Sequence, residues 1–229
     1  MNKNVMYTTL KMALFVASLP LQLPTAAASN LDTTTQIPGY AMAEVAWDVA
    51  ISPDGPHVTL NGTIQEVYRQ LVEINPEYSM TLGLETEAED ENDDDDEPED
   101  VDPDADATTP APTPSATLTK RQTIKEYFCF GRWEGCSRKR IRKSINKLRG
   151  VQGTPSLPAG PAVCGRVSCS KKAAIFLCND NRGTHNLASW NIVADAASYI
   201  ESRCVKGGNT AGQVFYRSNW NVVVRKDKC

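Results

Sequence analysis

The residues best equipped for chemistry in this chain of 229 are seven cysteines, Cys129, Cys136, Cys164, Cys169, Cys178, Cys204 and Cys229, all in its second half. Thiols at this density either ligate a metal or oxidise to disulfides. No CxxC pair and no cluster of histidines accompanies them, so oxidation is expected, with no metal and no cofactor. The spacing Cys164-x4-Cys169 reads as disulfide partners. Cys129 and Cys136 flank one strand-to-helix turn and are alternatives for a single partner. Three bridges leave one thiol over, expected to be buried and inert, with an intermolecular link as the alternative. The full connectivity stays open.

Acid–base chemistry is poorly supplied. After residue 121 the one histidine is His185, in the polar run NDNRGTHN, and the carboxylates are Glu126, Glu134, Asp180, Asp195, Glu201 and Asp227. Hydrolysis of RNA or glycosides needs two titratable groups held opposite one another. No spacing here opposes two, so no catalytic residue is assigned. A ribonuclease-like toxin using His185 with a carboxylate is the enzymatic alternative.

Charge divides the chain sharply. Up to Arg121 there are 22 acidic against 5 basic residues, net −17; beyond it there are 6 against 19, net +13. Seven cations, Arg138, Lys139, Arg140, Arg142, Lys143, Lys147 and Arg149, fall on one segment whose apolar residues are Ile141, Ile145 and Leu148. That segment is a candidate anion-binding helix, for lipid headgroups, cell-wall polyanions or nucleic acid.

The elements around these residues follow from local patterns. Lys3 and Lys11, the apolar MALFVASLPLQL and Ala26-Ala27-Ala28 have the layout of a secretory signal peptide over residues 1–28. Export would supply the oxidising compartment that the cysteines need.

Residues 29–78 read as a propeptide containing a β-hairpin and a helix. AWDVAIS alternates with Trp47, Val49 and Ile51 on one face, and Pro53-Asp54-Gly55-Pro56 turns it into HVTL. Thr63 and Glu66 form a capping box for the amphipathic helix IQEVYRQLVEI. So small a unit either depends on the rest of the chain or is marginally folded. Asn61 heads the glycosylation sequon Asn61-Gly62-Thr63.

Residues 79–121 carry carboxylates and prolines with few apolar groups, the composition of a disordered linker. They end at Lys120-Arg121, a dibasic pair suited to a kexin-type processing protease. The 15 carboxylates from Glu85 to Asp106 are expected to mask the basic domain in cis until cleavage releases them.

Residues 122–229 read as the mature domain. IKEYFCF is a strand, and Ser137 caps the basic helix. GTPSLPAGPA is a loop, and CGRVSCS and AAIFLCN pair across Ser170-Lys171-Lys172. A second helix runs through ASWNIVADAASYIESRC with Trp190, Val193, Ala194, Ala197, Ile200 and Cys204 as its apolar stripe. GQVFYR and WNVVVR close a hairpin with Trp220, Val222 and Val224 inward. The order is β-α-β-β-α-β-β: an α+β fold, with a small antiparallel sheet carrying two helices on one face, stapled by disulfides.

The hairpin-and-helix stretch WDVAISPDGPHVTLNGTIQEVYRQLVEINP, the acidic linker ending in Lys-Arg, and the stretches GPAVCGRVSCSKKAAIFLCNDN, WNIVADAASYI and GQVFYRSNWNVVVRKDKC resemble a family of fungal secreted cysteine-rich candidate effectors. These are kexin-processed precursors whose α/β domain is similar to smut-fungus killer toxins and necrosis-inducing effectors. Lys171-Lys172 and the odd cysteine depart from the pattern. The resemblance implies an extracellular or host-directed role without enzymatic activity. The expectation is a secreted effector or toxin-like protein that binds a host or competitor target, with an antimicrobial killer toxin as the nearest alternative. Entry into host cells is left open.

Overall fold

The computed structural model describes residues 37–52, 55–78 and 122–229. The expected signal peptide, the tip of the first hairpin, the acidic run and Lys120-Arg121 lie outside the described residues.

The first part of the chain supplies strands β1 (Ala41–Met42), β2 (Ala46–Ala50) and β3 (His57–Asn61), then helix α1 (Ile64–Ile74). The capping box forms as its residue types dictate: the Thr63 N–H donates to the Glu66 carboxylate at 2.6 Å, and the Glu66 N–H donates to Thr63 Oγ1 at 3.4 Å. Ile64, Val67 and Leu71 face inward.

The second part begins with β4 (Ile124–Cys129) and β5 (Cys136–Ser137), then α2 (Arg138–Gly150). Next come β6 (Gly153–Leu157), β7 (Val163–Ser170), β8 (Ala173–Asn179) and β9 (His185–Asn186). Helix α3 (Trp190–Arg203) leads to β10 (Val205–Lys206), β11 (Asn209–Thr210), β12 (Gly212–Tyr216) and β13 (Trp220–Lys226).

A six-stranded sheet runs β1-β7-β8-β13-β12-β4, antiparallel except for the parallel β1–β7 pair. Its central strands are apolar on both faces. From β8, Ala173, Ile175 and Leu177 join the helices in the larger core, while Ala174, Phe176 and Cys178 join Ile37, Met42 and Trp133 beneath the sheet. A second sheet of four strands runs β3-β2-β6-β9. Among the described residues the fold is therefore α+β with three helices and mixed sheets.

Two sequence expectations are corrected here. Gly153–Leu157, read as loop, is strand β6, because it pairs with β2 on one side and β9 on the other. Pro155 is tolerated because its carbonyl takes the Leu187 N–H at 3.1 Å, so the missing donor falls on the β9 side and not in the ladder to β2. The run at His185, also read as loop, contributes the short strand β9.

The hairpin and α1 do not stand alone. Val45, Trp47, Val49, Ile64, Val67 and Leu71 lie in one core with Ile141, Leu148, Leu157 and Trp190. The unit anticipated as either held by the rest of the chain or marginally folded is thus packed into one core with it.

The disulfides are Cys129–Cys204, Cys164–Cys178 and Cys169–Cys229. Cys164 and Cys169 are not partners: each lies on β7 beside a different strand or segment, Cys164 directly across from Cys178 on β8. Of the competing pair, Cys129 is bridged, tying β4 to the residue that caps the C-terminus of α3. Cys136 is the free thiol, and it is buried.

Candidate functional site

The basic helix α2 begins where Ser137 Oγ accepts the Arg140 N–H at 3.4 Å. Its apolar stripe of Ile141, Ile145 and Leu148 is buried as its period predicts. The cations are not one free stripe. Arg138 and Arg142 both donate through Nε to the same oxygen, Oε1 of Glu201 on α3, the second at 2.6 Å. Arg149 pairs with Asp195 on the same helix at 2.7 Å. Arg140 is buried, Lys143 and Lys147 are half-buried, and Lys139 is exposed. The Glu201 side chain is only 8% exposed, so a charge there requires partners, and the two guanidiniums supply them.

A second basic grouping went unseen in the sequence because its members are far apart in the chain. Arg132 and Arg225 both lie over the Trp133 ring, at 5.8 and 5.4 Å from its centroid. Asp227 pairs with Arg166 at 3.3 Å and Arg225 at 3.8 Å. Only the strand order reveals it.

His185 meets Asn181 Nδ2 through Nδ1 at 3.3 Å and lies near Trp220, with 6.1 Å between ring centroids. Burial pushes its pKa below the usual 6.5, so the imidazole is neutral at pH 7. No carboxylate is hydrogen-bonded to it among the described contacts. The Asp180 carboxylate instead accepts from Asn221 Nδ2 at 2.8 Å and from Tyr40 Oη at 3.3 Å. Among the described residues no group of three histidine, cysteine or acidic side chains is placed to hold a metal ion. The Cys136 thiol donates to the Thr210 carbonyl at 3.4 Å, and burial pushes its pKa up to about 12. It is not a nucleophile at neutral pH.

Asn61 ends β3 with its side chain exposed. It borders an open cleft of about 430 Å³ that Ala43, Glu44, Ser156 and Thr184 also line. The sequon threonine, by contrast, is engaged: Thr63 Oγ1 donates to Glu66 at 2.9 Å.

The most developed polar geometry lies along the seam between residues 37–78 and 122–229. Beneath the large sheet a chain of side chains runs from Trp133 through Gln213 and Asn221 to Tyr40. Above it, Gln65 of α1 donates to Ser168 Oγ at 3.0 Å and accepts the Cys169 N–H at 3.3 Å. That second bond satisfies a backbone donor just past the irregularity in β7 between Arg166 and Ser168. No local pattern in the sequence marks Tyr40 or Gln65.

Comparison of the chain with protein-family models, with curated proteins and with solved structures finds no match.

Proposed function

We propose that this chain is the precursor of an exported binding protein of the effector or toxin class, cut at Lys120-Arg121 by a kexin-type protease. It acts by docking on an anionic target of a host or competitor, not by catalysis. The observation that carries this reading is the confinement of all three disulfides to residues 129–229. Small extracellular domains use such bridges to supplement a limited core.

Three further features support it: the leader layout of residues 1–28, the net charge of +13 beyond Arg121, and the resemblance to fungal cysteine-rich effectors. No helix among the described residues is long and apolar enough to cross a membrane. Among the described residues His185 meets Asn181, and no hydrogen bond to a carboxylate favours the ribonuclease-like alternative. The glycosylation reading of Asn61 is supported by its exposed side chain.

The test begins with the intact mass of the exported protein, with and without reduction and thiol labelling. Three bridges, one free thiol and a chain starting at Gln122 are expected. Sedimentation with vesicles follows, and the chain starting at Gln122, once parted from the acidic chain, is expected to bind phosphatidylserine but not phosphatidylcholine vesicles, more weakly as salt rises. Equal partitioning to both, together with RNA degradation lost in His185→Ala, would replace the binding reading with the enzymatic one.

A further inference from the structure

We infer that residues 37–78 stay seated on residues 122–229 after the cut, so that the processed protein is two chains held together without a covalent link. This rests on the cleavage reading above and concerns what cleavage leaves behind. Hydrolysis adds one water across the peptide bond between Arg121 and Gln122, giving a carboxylate on the first and an amine on the second. No cysteine precedes Cys129, so no disulfide joins the two products.

The contacts between them are those of a domain interior. Strand β2 lies between β3 and β6, with Ala46, Trp47, Asp48 and Val49 in register with Ser156, Pro155, Thr154 and Gly153. Trp47 is fully buried and stacks on Trp190 at 3.4 Å between centroids. At the edge of the large sheet β1 pairs with β7, and beneath that sheet Tyr40 closes the polar chain that starts at Trp133 while Ile37 and Met42 join the core there. The N-terminal segment thus contributes to the cores on both faces of the large sheet.

The C-terminal chain is also shaped to receive it. A Cβ on Gly153, where φ is +146°, would lie 2.0 Å from the Asp48 carbonyl oxygen. A Cβ on Gly165 would lie 2.3 Å from Val45 Cγ2. Real contacts do not come so close, so glycine admits the backbone at Asp48 in the first case and the Val45 side chain with the Ala43 carbonyl in the second. Ejecting the segment would bare the face of Trp190 that Trp47 covers and leave Asp180, Asn221 and the Cys169 N–H each short of a partner, an outcome that water compensates only for the polar groups.

One consequence concerns the acidic run. Residues 85–106 precede the cut and are continuous in sequence with residues 37–78, so the seated chain keeps its carboxylates tethered to the +13 domain. Unmasking then requires dissociation and not cleavage alone.

The full-length precursor, purified without denaturant, tests this. It is cut in vitro by a dibasic-specific protease and passed over a sizing column, first in native buffer and then in urea without reductant. One native peak containing both fragments, resolved into two in urea, is the expected result. Near-ultraviolet circular dichroism of the cut protein should equal that of the precursor, because the Trp47–Trp190 stack persists. A Trp47→Phe precursor, milder than alanine, should separate at a lower urea concentration after cutting. Two native peaks from the wild-type cut protein, with residues 122–229 keeping their dichroism, would overturn the inference. The mass of the exported protein reports separately whether the cut is made in the cell, so the two readings fail independently.

Discussion

Trp47 lies against Trp190 with 3.4 Å between ring centroids and 18° between planes, and neither ring is exposed. The two residues stand on opposite sides of the acidic run, one on β2 and the other in the first turn of α3. Trp47 also donates through Nε1 to the Gly62 carbonyl at 2.8 Å, which fixes its ring from the hairpin side.

Removing that ring should therefore unsettle the whole molecule. Trp47→Ala is expected to cost about 3–5 kcal/mol, the range for truncating a buried aromatic. Urea denaturation followed at a helix-sensitive wavelength measures it, and the loss should appear in one transition. A separate early transition that leaves residues 122–229 folded would show that the N-terminal unit is an independent appendage.

The bridges differ in how much chain they close. Cys129–Cys204 spans 75 positions and Cys164–Cys178 spans 14. In the chain-entropy account, the longer loop should contribute about 1.5 kcal/mol more. Cys129→Ala with Cys204→Ala should accordingly lower stability more than Cys164→Ala with Cys178→Ala. Cys136→Ala should cost less than either and leave all three bridges intact. Native labelling should miss the Cys136 thiol, and labelling in denaturant should find it.

What was legible in the chain was what is settled locally. The Thr63 box and the stripes of α1, α2 and α3 depend on neighbours within four positions, and they formed as the patterns required. Trp220, Val222 and Val224 alternate inward for the same reason. Gly153–Leu157 was not legible, since its turn-like composition is overridden by β2, a partner on the far side of the acidic run. The cations of α2 were visible, whereas Glu201, which binds two of them, lies on another helix with nothing beside it to mark the pairing.

Two groups should set the acid limb of stability. His185 has its pKa held below 6.5 by burial. As pH falls past 6.5 the unfolded chain takes up a proton that the folded chain refuses, so stability declines until the lowered folded value is reached. Glu66 behaves conversely in its cause, since the Thr63 N–H bond holds its carboxyl below 4.5. Its contribution is present above 4.5 and is lost as pH falls through the folded value. Denaturation midpoints from pH 7 to 3 should show both declines. His185→Asn should flatten the first and leave the second, and Glu66→Gln should do the reverse. An unchanged profile in both variants would locate the acid sensitivity elsewhere.

Glu201 offers a way to separate the structural and anion-binding roles of α2. Its side chain is 8% exposed and holds Arg138 and Arg142, whereas Asp195, at 65% exposed, holds Arg149 from the surface. Glu201→Gln keeps the shape but removes the charge, so a loss of about 1–3 kcal/mol is expected as charge-assisted bonds weaken. Asp195→Asn should cost under about 1 kcal/mol, as exposed pairs do. Each variant removes one negative charge beside the same helix. If α2 is the surface that meets a polyanion, both should elute from a heparin column at higher salt than the parent, although only the first is destabilised. Retention that follows stability instead of charge, or does not move, would remove α2 as the docking surface and direct attention to the cluster around Arg132, Arg166 and Arg225.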